Sequence, residues 1–271
     1  MKDPAAPHRS QARGGPLHQG RSIGALHGGR SSTLRGGRAS ALQAVLFDMD
    51  GTLVQTEEYW GEAMFELAAS YGGRMSPEAR AATVGTSMRR SMQVLHADLG
   101  VLRGEEQLEA DARWVEDRVE ELMGAGIPWR PGARELLESV RAAGLRTALV
   151  TTTPRRLADI VLGSIAADLG ADPFDLTVCG DEVPARKPDP APYLQAAAGL
   201  VVDPASCVVI EDSLVGVTSG LAAGMAVLGV PAMQPVPAAP GLTVRSTLAG
   251  TTVADLAEVL AAGPVVDVAG R

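Results

Sequence analysis

Short apolar runs, each closed by a polar residue, alternate with stretches of helical spacing along most of the chain. Ala44-Val45-Leu46-Phe47 ends at Asp48, and a run this short and wholly apolar predicts a strand buried on both faces. The period then changes. Segments near 56–71, 87–99, 104–124 and 132–143 repeat apolar residues at three or four, as Leu108, Ala112, Val115, Val119 and Leu122 do, which predicts helices. Pro128, Pro131 and Gly132 break the pattern between the last two. Beyond them, strands are predicted at Thr147–Val150, Leu176–Cys179, Cys207–Ile210 and Met225–Val230. Helices are predicted at Arg155–Leu169, Ala191–Ala198, Leu214–Ala223 and about 253–261.

Apolar strands separated by helices imply an α/β fold, a Rossmann-like doubly wound parallel sheet covered on both faces. Residues 57–130 carry no strand signal and read as an inserted α-helical cap domain over the carboxyl edge of the sheet. The division expected is therefore an α/β core from 43–56 and 131–271, and a cap from 57–130. Residues 1–42 stand apart, rich in Gly, Arg, Ser and His and without periodicity. They read as a disordered basic N-terminal extension or an upstream misread start. An organelle transit peptide and a weak polyanion-binding tail are the other readings.

Charge sharpens this division. The 271-residue chain has a net charge of -8. Residues 1–42 hold Lys2 and six arginines against Asp3 alone, which leaves 17 basic and 31 acidic residues elsewhere. An acidic body of this kind is not expected to bind nucleic acid. Cys179 and Cys207 are too few for a disulfide framework or a cysteine zinc site, and suit reduced core thiols in a cytoplasmic protein. No apolar stretch approaches the length needed to span a membrane. Only Lys2 and Lys187 are lysine, and His96 is the one histidine after His27. Histidine-dependent catalysis therefore has almost no material here.

In open parallel sheets, ligands sit beyond the carboxyl ends of the strands. Those ends carry Asp48 and Asp50, then Thr151, then Glu211 and Asp212, with Lys187 ahead of a helix in the same half. Carboxylates gathered at one edge repel one another, and a hard divalent cation with oxygen ligands would compensate. Mg2+ is the natural choice where phosphate is the other ligand. Asp48 is a competent nucleophile toward phosphorus, with Mg2+, Lys187 and the Thr151 hydroxyl available to neutralise phosphoryl charge. Asp50, two residues on, can lean over the site as general acid and then base. The turn at Gly51 can offer backbone N–H groups to phosphate.

These residues resemble those of the haloacid dehalogenase-like (HAD) hydrolases. Phe47-Asp48-Met49-Asp50-Gly51-Thr52-Leu53 is similar to the first motif of that superfamily, and Leu149-Val150-Thr151-Thr152 to the second. Arg186-Lys187-Pro188-Asp189-Pro190 is similar to the third, and Val209-Ile210-Glu211-Asp212-Ser213 with Gly216 to the fourth. The resemblance covers about 43–230 and points to the helical-cap phosphatases akin to β-phosphoglucomutase and phosphoglycolate phosphatase. It implies Asp48 as nucleophile and Asp50 as general acid/base. It implies Thr151, Thr152 and Lys187 around the phosphoryl group. Mg2+ would be held by Asp212, Asp48 and the Asp50 backbone carbonyl, with Glu211 as ligand or supporting partner. Gly85-Thr86-Ser87 looks like the cap loop that reaches the substrate.

The activity expected is Mg2+-dependent hydrolysis of a small phosphorylated metabolite, a sugar or polyol phosphate, by a monomer in the cytoplasm. A β-phosphoglucomutase-like sugar-phosphate mutase is the rival enzyme, and a catalytically idle binding protein the rival from another class. Against the mutase, this chain has Trp60 where the mutases carry a histidine, Gln55 where they carry an aspartate, and Met88 where an arginine would grip a second phosphate. Of the three threonines in a row, Thr151 is expected to be the ligand and Thr153 the helix cap. Trp60, Trp114 and Trp129 are expected to pack, and His96 to be a helix-surface or core residue.

Overall fold

The computed structural model describes residues 41–231, 233 and 235–263. The expectations for the basic leader lie almost wholly outside that range. Strands β1 (Ala44–Phe47), β2 (Arg146–Val150), β3 (Leu176–Val178), β4 (Cys207–Glu211), β5 (Ala226–Gly229) and β6 (Leu242–Val244) form one sheet in the order β3-β2-β1-β4-β5-β6. Every pairing is parallel. β1 is central, and Phe47 lies opposite both Leu149 and Ile210. The chain winds outward from β1 through β2 and β3, then returns to the other side of β1 with β4. The crevice at the ends of β1 and β4 is thus the point where the winding reverses, which is where such sheets place ligands.

Successive strand residues point to opposite faces, and both faces are apolar. Val45, Phe47, Leu149, Val208, Ile210 and Leu228 belong to one buried cluster, with side chains of α5 (Ala133–Ala142), α6 (Arg155–Leu169) and α9 (Val253–Ala261). Ala44, Leu46, Ala148, Val150, Val209 and Val227 belong to the other, with α7 (Ala191–Leu200) and α8 (Leu214–Ala222). No single strand could bury one face only, which is why the strands read as unbroken apolar runs.

Between β1 and α5 lie α1 (Glu57–Ser70), α2 (Pro77–Thr83), α3 (Met88–Asp98) and α4 (Glu105–Met123). Trp60, Met64 and Leu67 of α1, Met92 and Leu95 of α3, and Val115, Val119 and Met123 of α4 share the first apolar cluster. Inside this block Asp111 accepts hydrogen bonds from Tyr71 (2.7 Å) and Gln107 (2.8 Å) and lies 2.6 Å from His96 Nε2. His96 is buried there, the core alternative of its two expected settings.

Two elements were not anticipated. The helix α2 has only seven residues, too few to show a period, and is started by Ser76, whose hydroxyl accepts from the Ala79 amide. Strand β6 is a three-residue edge. Among the described residues, no helix is long and apolar enough to cross a membrane.

Candidate active site

Asp48 follows β1 directly, and its amide donates to the Ile210 carbonyl at 3.0 Å, so the strand ladder fixes where its side chain starts. Glu211 ends β4 and Asp212 follows it. One oxygen from each of Asp48, Glu211 and Asp212 lies within 4.8 Å of the others, and all three residues are buried. Lys187 arrives from the segment before α7. Its ammonium donates to Asp48 Oδ1 at 2.7 Å, Glu211 Oε1 at 2.6 Å and the Val150 carbonyl at 2.8 Å. A buried ammonium with three acceptors has no donor to spare, so its position is strongly determined.

One cation shared among three acids leaves the balance negative. Burial pushes Asp48 up to about 8, aided by the Glu211 charge and opposed by Lys187. Asp212 is also pushed well above the usual carboxylate range, by burial first and then by Asp48 and Glu211. Burial alone would lower Lys187, but Asp48 and Glu211 override it and hold the ammonium charged. Asp212 Oδ1 accepts from Thr52 at 3.4 Å, while Asp212 Oδ2 is buried with no hydrogen-bond partner. A buried carboxylate oxygen in that state calls for a cation or a proton.

Glu211 is engaged on both oxygens. Oε1 takes Lys187 and the Tyr193 hydroxyl (2.7 Å), and Oε2 takes the Ser213 hydroxyl (3.1 Å). Ser213 in turn caps α8, accepting from the Gly216 amide at 3.0 Å. Gly216 has no side chain because a Cβ there would run into the Glu211 carboxylate.

Asp50 leans over from the turn after β1. Its Oδ1 accepts from Thr56 Oγ1 at 2.5 Å and Trp60 Nε1 at 3.1 Å, and its Oδ2 from Thr153 Oγ1 at 2.7 Å and Thr151 Oγ1 at 3.4 Å. Two expectations are corrected here. Thr153 does not cap α6, whose first flanking residue is Pro154 without a side-chain cap, because its hydroxyl is spent on Asp50. Trp60 does more than pack, since its indole N–H is aimed at the same carboxylate.

One cavity gathers most of these groups. It is bordered by Asp48, Asp50, Lys187, Asp212, Thr152 and Thr153 on the sheet side and by Trp60, Met64, Met88 and Gly85 among the cap-side residues. It encloses about 580 Å³ of space not filled by atoms, part of it open to solvent. Three expected contributors are placed otherwise. The Gly51 amide donates to the Val54 carbonyl at 2.8 Å, so it is not free for phosphate. What glycine supplies there is a left-handed turn (φ 81°) and room for Asp212. Thr86 bonds to Thr83 and Ser91, and Ser87 caps α3, so of the cap loop only Gly85 borders the cavity. Thr151 accepts from the Thr153 amide at 3.0 Å and does not border the cavity.

Sequence reasoning missed Thr56, Tyr193 and the buried pair of Glu57 and Arg80 (2.8 Å). Nothing in their local pattern separates them from ordinary helix residues. Only the packing of distant segments gives their polar atoms partners.

A family description for haloacid dehalogenase-like hydrolases matches residues 42–224. The protein CbbY of Rhodobacter capsulatus is 34% identical over 194 residues, which are 70% of this chain and 86% of that protein. The phosphorylated carbohydrates phosphatase of Thermotoga maritima is 34% identical over 184 residues, 68% of this chain and 82% of that protein. Among solved structures, CbbY of Rhodobacter sphaeroides in complex with phosphate superposes with a TM-score of 0.68 at 27% identity, covering 79% of this chain and 99% of that one.

Proposed function

The chain belongs to the haloacid dehalogenase-like hydrolases and is a phosphatase of that family, and on that premise we propose a specific reaction. It is Mg2+-dependent hydrolysis of a small phosphomonoester, a sugar or polyol phosphate, through an aspartyl-phosphate on Asp48. The observation that carries this reading is the convergence of Asp48, Asp50, Lys187 and Asp212 on one cavity at the reversal point of the sheet. The names of its relatives, a phosphatase of phosphorylated carbohydrates among them, support the substrate class.

The donor set fits a hard divalent cation: crowded carboxylates, a single ammonium, and an orphaned buried oxygen on Asp212. Asp48, Asp212 and the backbone carbonyl of Asp50 would hold Mg2+, while Glu211, taken up by Lys187, Tyr193 and Ser213, positions the lysine. Bound there, the ion supplies neutralisation of phosphoryl charge.

The remaining work falls to the chain itself. Lys187 holds Asp48 through Oδ1 and contributes positive charge where the phosphoryl oxygens gather. Asp48 attacks phosphorus as the P–O ester bond breaks, and Asp50 gives the departing alkoxide its proton. Asp50 then takes a proton from water as that water attacks the phosphorus on Asp48 and the acyl phosphate P–O bond breaks, which frees phosphate and restores the Asp48 carboxylate and the protonated Asp50. Thr152, which borders the cavity where Thr151 does not, is the threonine left to hold the phosphoryl oxygens. The division read from the sequence makes α1–α4 the cap that shields this chemistry from bulk water. Trp60 Nε1 lies on Asp50 where the mutases carry histidine, which favours hydrolysis over isomerisation. Cys179 and Cys207 are free and buried, in keeping with a cytoplasmic setting.

The test is phosphate release from sugar and polyol phosphates with Mg2+. Asp48→Asn is expected to abolish release while the fold persists, and retained turnover overturns the assignment. Isomer formation without phosphate would establish the mutase instead.

A further inference from the structure

Helix α4, in the helical block, packs against α6, on the sheet, and their contact is charged. Arg156, the second residue of α6, places its guanidinium among three acids of α4. Its Nη2 lies 2.9 Å from Asp117 Oδ1 and 3.8 Å from Glu116 Oε2, and its Nη1 pairs with Glu120. Positions 116, 117 and 120 are neighbours on one face of a helix, so α4 presents the three carboxylates together. They also meet the first turn of α6, the end where a helix favours negative charge.

The preceding residue fastens α6 in the other direction. Arg155 donates to both oxygens of Glu182 at 2.8 Å and to the Thr177 carbonyl at 3.2 Å, and its amide donates to Asp181 at 2.9 Å. Two consecutive arginines thus divide the work: Arg155 ties the start of α6 to β3 and the loop after it, and Arg156 ties it to α4. The same stretch of chain leads straight into the site. Thr153, three residues before Arg156, donates to Asp50 at 2.7 Å, and Thr152 borders the cavity. The helical block also meets the core at the cavity itself. A Cβ on Gly85 would come 2.7 Å from Ser213 Oγ, so the two segments are already in contact there.

On the phosphatase reading and the division into core and cap, we propose that Arg156 is a positioning residue of the reaction. With Glu116, Asp117 and Glu120 it forms an ionic clasp that holds the cap shut over the cavity, and it makes retention of substrate depend on ionic strength. Lifting α4 from α6 to admit substrate or release product breaks the three pairs together. The Arg156 side chain is 47% exposed, so each pair alone is weak and is screened by salt. Three acids held on one helix face add up, and their sum is about tenfold in the balance between closed and open cap.

The experiment follows phosphate release by the full chain with Mg2+, from p-nitrophenyl phosphate and from glycerol phosphate. It is run at about 0.01 M and about 1 M NaCl, where charges are screened beyond about 30 Å and about 3 Å. At low salt Arg156→Gln is expected to raise KM about tenfold without lowering kcat, because the closed complex is weakened and the cap opens more readily. At high salt the native KM should rise to meet that of the variant, closing the gap to about twofold or less. Arg156→Glu sets four acids against one another and should raise the low-salt KM further. Adding Glu120→Arg to it rebuilds a pair with its poles exchanged and should recover most of the loss, which a merely structural defect would not allow. Should Arg156→Glu fail to fold, the salt dependence of Arg156→Gln against the native chain still decides. A fall in kcat at unchanged KM overturns the proposal, as does a gap that persists at high salt or an exchanged pair no better than Arg156→Glu alone. Failure of the native chain to release phosphate from either substrate overturns the phosphatase reading beneath it.

Discussion

Removing Asp48, the proposed nucleophile, should stabilise the metal-free protein, and by an amount that grows with pH. Asp48 is buried between Glu211 and Asp212, and its carboxyl is raised from 3.8 to about 8. A group whose folded pKa lies above its unfolded one favours the folded state fully below about pH 4. That stability is lost as pH climbs toward 8, at about 1.36 kcal/mol per unit inside the window. Asp48→Asn takes the titrating charge away and leaves Lys187 an oxygen to bond. Between pH 5 and pH 7 the variant should therefore gain about 3 kcal/mol on the native chain. For a domain of this size that corresponds to roughly 5–11 °C in Tm. Asp212 is raised partly by the Asp48 charge, so its relaxation adds in the same direction. The assay is thermal or urea unfolding of both proteins in EDTA across that range. With saturating Mg2+ the native chain should recover, since binding at a hundredfold excess over Kd contributes about 2.7 kcal/mol. A stability difference that stays flat with pH in EDTA would refute the argument that the carboxylates are strained by burial and mutual repulsion.

Three further outcomes follow from single contacts. Trp60→Phe keeps the ring but removes the indole donor 3.1 Å from Asp50; a hydrogen bond to a charged group is worth about 1.5–3 kcal/mol, so kcat should fall about tenfold or more with KM little changed. Steady-state kinetics on one sugar phosphate separates the two constants. Gly216→Ala forces the Glu211 carboxylate aside, which should cost about 1–3 kcal/mol by denaturant unfolding and lower activity through the displaced Lys187. Asp111→Ala strips Tyr71, Gln107 and His96 of their shared acceptor inside the helical block. Leaving buried donors unpaired should cost about 2–4 kcal/mol, read as a lower urea midpoint with the m-value kept.

Much of the chemistry was legible because it depends on strand ends. An apolar run that stops at an acid places that acid at the sheet edge without any knowledge of the partners, and Asp48, Glu211 and Asp212 were found in this way. Lys187 was singled out because it stands almost alone among arginines. The turn and the cap loop were less transparent. Whether Gly51 offers its amide to phosphate or to Val54 depends on how the chain curls back by three residues. The three threonines in a row differ only in direction, and it is Asp50, about a hundred residues earlier, that claims Thr153.

The sequence by itself determined the alternation of buried strands and helices, the parallel sheet, and the order in which its polar ends occur. Period, burial on both faces and the polarity of a single residue are local properties, and the chain writes them directly. Only the tertiary structure decided which side chain serves which. The order β3-β2-β1-β4-β5-β6 brings residues 48, 187 and 211 together around one ammonium. The packing of α1 against the sheet edge then sets Trp60 on Asp50 and Glu57 at the cavity wall. Those pairings join residues far apart in the chain, and their energies come from burial and distance, which no local pattern records.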